Sequence, residues 1–101
     1  MSVFMHVTLL LKQGRLPVFR EAMKIAQPIA EGAGWKLRDA FVFRSGRLNT
    51  VIDVWELEEL NHYERGLAAL QSSPRFEELQ SKLADSVESE TVCFCDRLRY
   101  V

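Results

Sequence analysis

Cysteine is scarce in this chain of 101 residues, and the only two, Cys93 and Cys95, are separated by one residue. In a strand such a pair shares a face and sits too far apart for an easy disulfide. Together with His6 it makes no reliable zinc spacing, so neither a disulfide scaffold nor a metal-held fold is expected. The 3 prolines and 5 glycines form no linker, repeat or low-complexity tract. A long hydrophobic run is missing too: the apolar opening MSVFMHVTLLLKQG meets Lys12 and Gly14 well short of a membrane span. It carries no basic leader and no small-residue cleavage site, so it reads as a buried strand. Thiols without an export signal suit a reducing compartment, and a cytoplasmic protein with no membrane partner is the expectation. Nor does one sign of charge dominate, since Lys+Arg 13 against Asp+Glu 14 leaves a formal charge of -1. That balance excludes general attraction to nucleic acid or an anionic membrane.

What is present is an apolar content of 48%, enough for one packed domain spanning residues 1–101. Residues 3 to 11 are β-formers closed off by Gly14 and Pro17. From Leu16 the positions Phe19, Met23, Ala26 and Ala30 recur at helical spacing as far as Gly32 and Gly34, with a kink or thinning predicted at Pro28. Trp35 to Phe43 and Leu48 to Leu57 read as a hairpin about a tight Ser45-Gly46 turn. Asn61 with Glu64 resembles a capping box ahead of a stripe of Tyr63, Leu67 and Leu70. After Ser73-Pro74 a second stripe runs through Phe76, Leu79, Leu83 and Val87, and Thr91 to Tyr100 forms the last strand. The order β-α-β-β-α-β is the α+β, ferredoxin-like pattern, a four-stranded antiparallel sheet with its helices on one face. The other face is bare in a monomer, yet the strands carry apolar residues on both sides, so something should cover it.

A turn at Ser45-Gly46 pairs Val42 with Asn49, Ala40 with Val51, Arg38 with Asp53 and Lys36 with Trp55. The alternate set, Phe43, Phe41, Leu37, Leu48, Ile52 and Val54, is greasier and is assigned to the helix-packed core, with Asp39 as its awkward member. In β1 the all-apolar set Val3, Met5, Val7, Leu9 and Leu11 belongs beneath the helices. The bare face then gathers His6, Thr8, Arg38, Asn49, Asp53, Trp55, Cys93, Cys95, Arg97 and Arg99. This mix of titratable, hydrogen-bonding and aromatic groups is typical of a ligand-lined surface. On this assignment His6 is a candidate general base. Arg38 would hold a carboxylate or a developing enolate, and Asp53 would orient His6 or remove a proton. Thr8, Asn49, Trp55 and Arg97 are candidate ligand contacts. Plainer roles stand beside these: a satisfied histidine at a subunit seam, a structural Arg38–Asp53 ion pair, a backbone role for Asn49 near the turn, and Trp55 as a packing wedge. Glu56, Glu58 and Glu59 read as a solvated helix entry, and His62 as exposed.

The run Gly46-Arg47-Leu48-Asn49 followed by Val51 and Trp55, after Gly34-Trp35 and a strand–helix unit, resembles the NIPSNAP family of dimeric α+β barrel proteins. The resemblance implies a homodimer in which two bare sheet faces meet, with a ligand cavity in each half. Related barrels include cofactor-independent oxygenases, isomerases and ring-closing enzymes, so the implied activity is a class. The expectation is a protein that binds a small anionic or aromatic molecule between sheet and helices, acting as an enzyme without cofactor or metal. The alternative is a non-catalytic ligand-binding protein or scaffold. RNA-recognition modules share this topology, but β3 offers Asn49, Val51 and Asp53 where a stacking platform wants aromatic and basic residues; no nucleic-acid partner is expected.

Overall fold

A computed structural model describes residues 2–100. Strand β1 (Val3–Leu11) is followed by α1 (Leu16–Gly32), the hairpin β2 (Lys36–Val42) and β3 (Thr50–Leu57), the helices α2 (His62–Ser72) and α3 (Phe76–Ser86), and β4 (Val87–Cys95). The four strands lie in the antiparallel order β2-β3-β1-β4, the ferredoxin-like α+β arrangement. Alternation in β1 is clean: Met5, Val7, Leu9 and Leu11 are buried, with half-buried residues between them. Above them α1 lays Phe19, Ala22, Ile25, Ala26 and Ala30, and it runs on through Pro28 to Gly32. Asn61 precedes α2 without a side-chain cap, so the capping box does not form. Strand β4 begins at Val87, four residues before the expected Thr91, and ends at Cys95.

Register corrects the expected hairpin. The connection occupies residues 43–49, with Gly46 and Asn49 both at positive φ (77° and 68°). Thr50 Oγ1 donates to the Arg47 carbonyl at 2.6 Å, and the Phe43 N–H donates to the Thr50 carbonyl at 2.9 Å. This longer turn slips the pairing by two residues, so Val42 meets Val51 and Ala40 meets Asp53, and a bulge at Arg38 then brings Leu37 opposite Trp55. Arg38 is therefore not paired with Asp53.

The faces of β3 are exchanged relative to expectation. β1 pairs Met5 with Trp55, Val7 with Asp53 and Leu9 with Val51; directly opposed residues share a side, so all three β3 residues lie beneath the helices. Phe41, Ile52 and Val54 point to the bare face. Greasiness misled because this sheet is apolar on both sides. In β4 the assignment holds, Val92 pairing with Val7 beneath the helices and Cys93 pairing with His6 on the bare side.

Trp35, just before β2, is 6% exposed. Its indole N–H donates to the His62 carbonyl at 2.7 Å, tying the start of β2 to the start of α2. Gly66 permits that approach, since a Cβ there would stand 2.1 Å from Trp35 Nε1. Gly66→Ala is expected to lower stability by about 2 kcal/mol despite alanine's better helix propensity, a Tm loss of roughly 10 °C. An unchanged thermal melt would show that Trp35 can move aside freely.

Candidate functional site

Between the sheet and the helices lies a cavity of about 300 Å³. Its floor is Met5, Val7, Leu9, Asp53, Trp55 and Val92; α1 contributes Phe19, Met23, Ala26 and Ala30. α2 closes another side with Tyr63, Leu67 and Leu70, and α3 with Phe76, Leu79 and Leu83. Gln71, Gln80 and Glu90 join Asp53 as polar side chains of its lining, beside the polar edges of Tyr63, Trp35 and Trp55. Trp35 also lines it, stacked on Tyr63 (centroids 5.7 Å apart, planes 5° apart) and edge-on to Trp55 (5.5 Å, 70°). Tyr63 in turn meets Phe94 edge-on at 5.1 Å. A second hollow of about 350 Å³ opens between α1 and β2, and Asp53, Phe19 and Met23 are common to both.

Asp53 is 3% exposed, flanked by Val7 and Ala40 on the neighbouring strands. Among the described residues no cation pairs with it and no donor satisfies it. Desolvation by burial pushes its pKa from 3.8 up to about 6, and the Glu90 carboxylate adds to the rise. Glu90 reaches the same cavity because it pairs with Leu9, two residues along β1 from Val7. A carboxyl held in an apolar, aromatic-walled space with a pKa near neutrality can take up and release a proton at physiological pH.

The expected site is thus divided by the sheet. Asp53 and Trp55 line the helix-side cavity, whereas His6 and Arg38 line a shallow hollow on the bare face with Phe4, Glu56, Asp96 and Arg97. Asp53 cannot orient His6, since the two project from opposite sides of the sheet. Arg38 Nε donates to Glu56 Oε1 at 2.8 Å, and Ser2 also donates to Glu56. Those two bonds, Ser2 first, hold the Glu56 carboxyl below its usual range. Arg97 lies over the Phe4 ring, 4.8 Å from its centroid. Thr8, opposite Ile52 and Thr91, faces the bare side. Asn49 stays in the hairpin connection, where its carbonyl accepts from the Leu11 N–H at 2.8 Å, the backbone role.

His62 is not exposed. Its ring packs on Gly34, where an added Cβ would lie 2.9 Å from Nδ1, and Nδ1 is buried without a hydrogen-bond partner. Trp35, Tyr63 and Glu90 were not among the expected site residues. The signal for Trp35 was Gly66: a glycine inside a helical stripe marks a close approach by a large neighbour. No three His, Cys, Asp or Glu side chains among the described residues gather as metal ligands, and no described helix is long and apolar enough to cross a membrane.

An α+β layer of this topology, with its cavity between sheet and helices, has clear structural counterparts. A NIPSNAP family protein of unknown function from Agrobacterium tumefaciens superposes with a TM-score of 0.83 at 20% identity, over 99% of this chain and 91% of that one. A NIPSNAP domain protein from Burkholderia xenovorans gives 0.79 at 20% identity, over 100% and 98%. A Nitrosomonas europaea protein named as a candidate antibiotic biosynthesis monooxygenase gives 0.73 at 11% identity, over 98% and 92%. The fold is that of the NIPSNAP proteins, and it is shared with the antibiotic biosynthesis monooxygenase type. No family model and no curated protein matches the sequence.

A carboxyl with a pKa of about 6 folded and 3.8 unfolded binds more protons in the native state between those values. Stability therefore falls as pH rises through that window, by at most about 3 kcal/mol. Urea unfolding of wild type and Asp53→Asn should diverge accordingly: the variant gains on wild type from pH 4 to 6.5, then runs parallel to it. A constant difference across that range would mean the carboxyl is not desolvated.

Proposed function

We propose that this chain forms a homodimeric α+β barrel in which each subunit binds a small aromatic or otherwise apolar molecule between sheet and helices and transfers a proton on it through Asp53, without a bound cofactor. The observation that carries the proposal is Asp53 itself, a carboxyl whose pKa is pushed up to about 6 and which has no hydrogen-bond donor among the described residues, facing a cavity walled by Trp35, Trp55 and Tyr63. General-base removal of an acidic C–H or phenolic proton is the step shared by isomerisation, ring closure and cofactor-independent oxygenation, and a positioned base is worth 10²–10⁴-fold. The expected anionic ligand drew on Arg38 and Arg97. Both face the opposite hollow, so the cavity lining supports the apolar body of the ligand and not its negative charge. His6 and Arg38 are better suited to the subunit seam. A carrier without chemistry uses the same cavity if Asp53 only pairs with its ligand.

An aryl ketone with acidic α-hydrogens, 2-tetralone, separates the two readings. Trp35 and Trp55 are the only tryptophans, so intrinsic fluorescence reports occupancy. Wild type is expected to bind the ketone saturably and to speed exchange of its α-hydrogens with D₂O. Asp53→Asn should retain binding and lose about 100-fold in exchange. Binding without acceleration over buffer would make the protein a carrier.

Dimerisation is supported by the apolar residues left open: Phe41, Phe43 and Leu48 around the hairpin are 37–57% exposed, and the chain is only 17 Å thick, one sheet and one helix layer. Sedimentation should give twice the 11.6 kDa of a single chain. Val54→Glu, on the bare face, should give monomer, and a monomeric wild type would refute the barrel.

A further inference from the structure

The charged groups around the helix-side cavity are all of one sign. Asp53 and Glu90 both line it, and its lining contains no lysine, arginine or histidine. Basic groups approach Asp53 only from the other hollow, where Arg20 and Lys24 of α1 stand at the rim. Both are exposed, so water screens them and they do not offset a carboxylate facing the aromatic wall. From α2 and α3 the polar residues of the lining are Tyr63, Gln71 and Gln80, none of them a cation.

Building on the ligand site proposed above, we infer that the molecule this cavity accepts is a small aromatic amine, bound as its ammonium ion between Asp53 and Glu90. The ammonium supplies both what Asp53 lacks, a donor, and the opposite charge that a buried carboxylate requires. A cation also gains from the faces of tryptophan and tyrosine, and Trp35, Trp55 and Tyr63 line the same cavity. An alcohol or phenol brings one donor and no charge. A carboxylate ligand would add a further negative group beside the buried Asp53, which has no partner among the described residues, and the exposed Glu90 at the cavity edge. Pairing with the ammonium keeps Asp53 ionised, the form that accepts a proton from a neighbouring C–H.

Three probes on one apolar frame test this: 2-aminotetralin, 2-tetralol and tetralin-2-carboxylate, each titrated by tryptophan fluorescence at pH 7.5 against the full-length protein. The amine is expected to bind at least 10-fold tighter than the alcohol, with the carboxylate weakest. In Glu90→Gln, an exposed edge-strand change that leaves the core untouched, the amine's advantage should shrink at least threefold while alcohol binding stays the same. In Asp53→Asn it should vanish. An alcohol or carboxylate that binds as well as the amine, or an amine preference that survives both substitutions, would overturn the inference while leaving the cavity a ligand site. If none of the three probes binds, the ligand site itself is refuted.

Discussion

Antiparallel pairing of Val7 with Asp53 is the constraint from which the site follows. β1 has a single all-apolar face, and the helices must cover it, so any residue opposite Val7 is carried beneath them as well. At that position a leucine or methionine would pack without penalty, whereas a carboxyl loses its hydration. The layer tolerates this because its large side chains are otherwise well placed: Met5 and Leu57 are almost wholly buried, and Trp55 is nearly so. Unpaired burial of this kind is common at sites of chemistry and rare in cores built only for packing.

The aromatic wall depends on a second, smaller constraint. Trp35 reaches the cavity because Gly66 leaves room beneath it and the His62 carbonyl accepts its N–H. That bond removes the one polar demand of a buried indole, so its ring face is free for Tyr63 on one side and Trp55 on another. The price is a His62 ring pressed on Gly34 with Nδ1 unsatisfied. Trp35, stacked on Tyr63 and edge-on to Trp55, joins the starts of β2 and α2 to β3 along one side of the cavity.

Most of the fold could be read from residue order. Alternation from Met5 to Leu11 and the helical spacing from Phe19 to Ala30 each have a single solution, and with the hairpin and the stripes before and after Ser73-Pro74 they give the ferredoxin-like order, its second helical segment divided into α2 and α3. The sides of β3 could not be read in the same way. Both of its alternating sets are apolar enough to be a core, Val51 and Trp55 in one, Ile52 and Val54 in the other, and preference for the greasier set fails when both faces of a sheet carry apolar residues. The turn compounded the difficulty: Ser45-Gly46 is a plausible two-residue hairpin, but Asn49 takes the left-handed conformation as well as Gly46, which lengthens the connection. Arg38 and Asp53 therefore looked like partners when they lie on opposite sides. Strand β1 held the missing information, since its faces are unambiguous, but its register with β3 is a tertiary fact.

Two carboxylates three residues apart on β3 illustrate how much this matters. Glu56 points to the bare face, accepts hydrogen bonds from Ser2 and Arg38, and its pKa falls. Asp53 points beneath the helices, accepts none among the described residues, and its pKa rises. The same chemical group on the same strand is a satisfied ion with a lowered pKa on one side and a desolvated carboxyl with a raised pKa on the other, and the environment alone makes the difference. In the bare-face hollow of Arg38, Glu56, Asp96 and Arg97, Glu56 already has Ser2 and Arg38 to hold its charge. A carboxyl shifts upward where its charge is not already held, and the sheet isolates Asp53 in that way by turning it beneath the helices, opposite Val7.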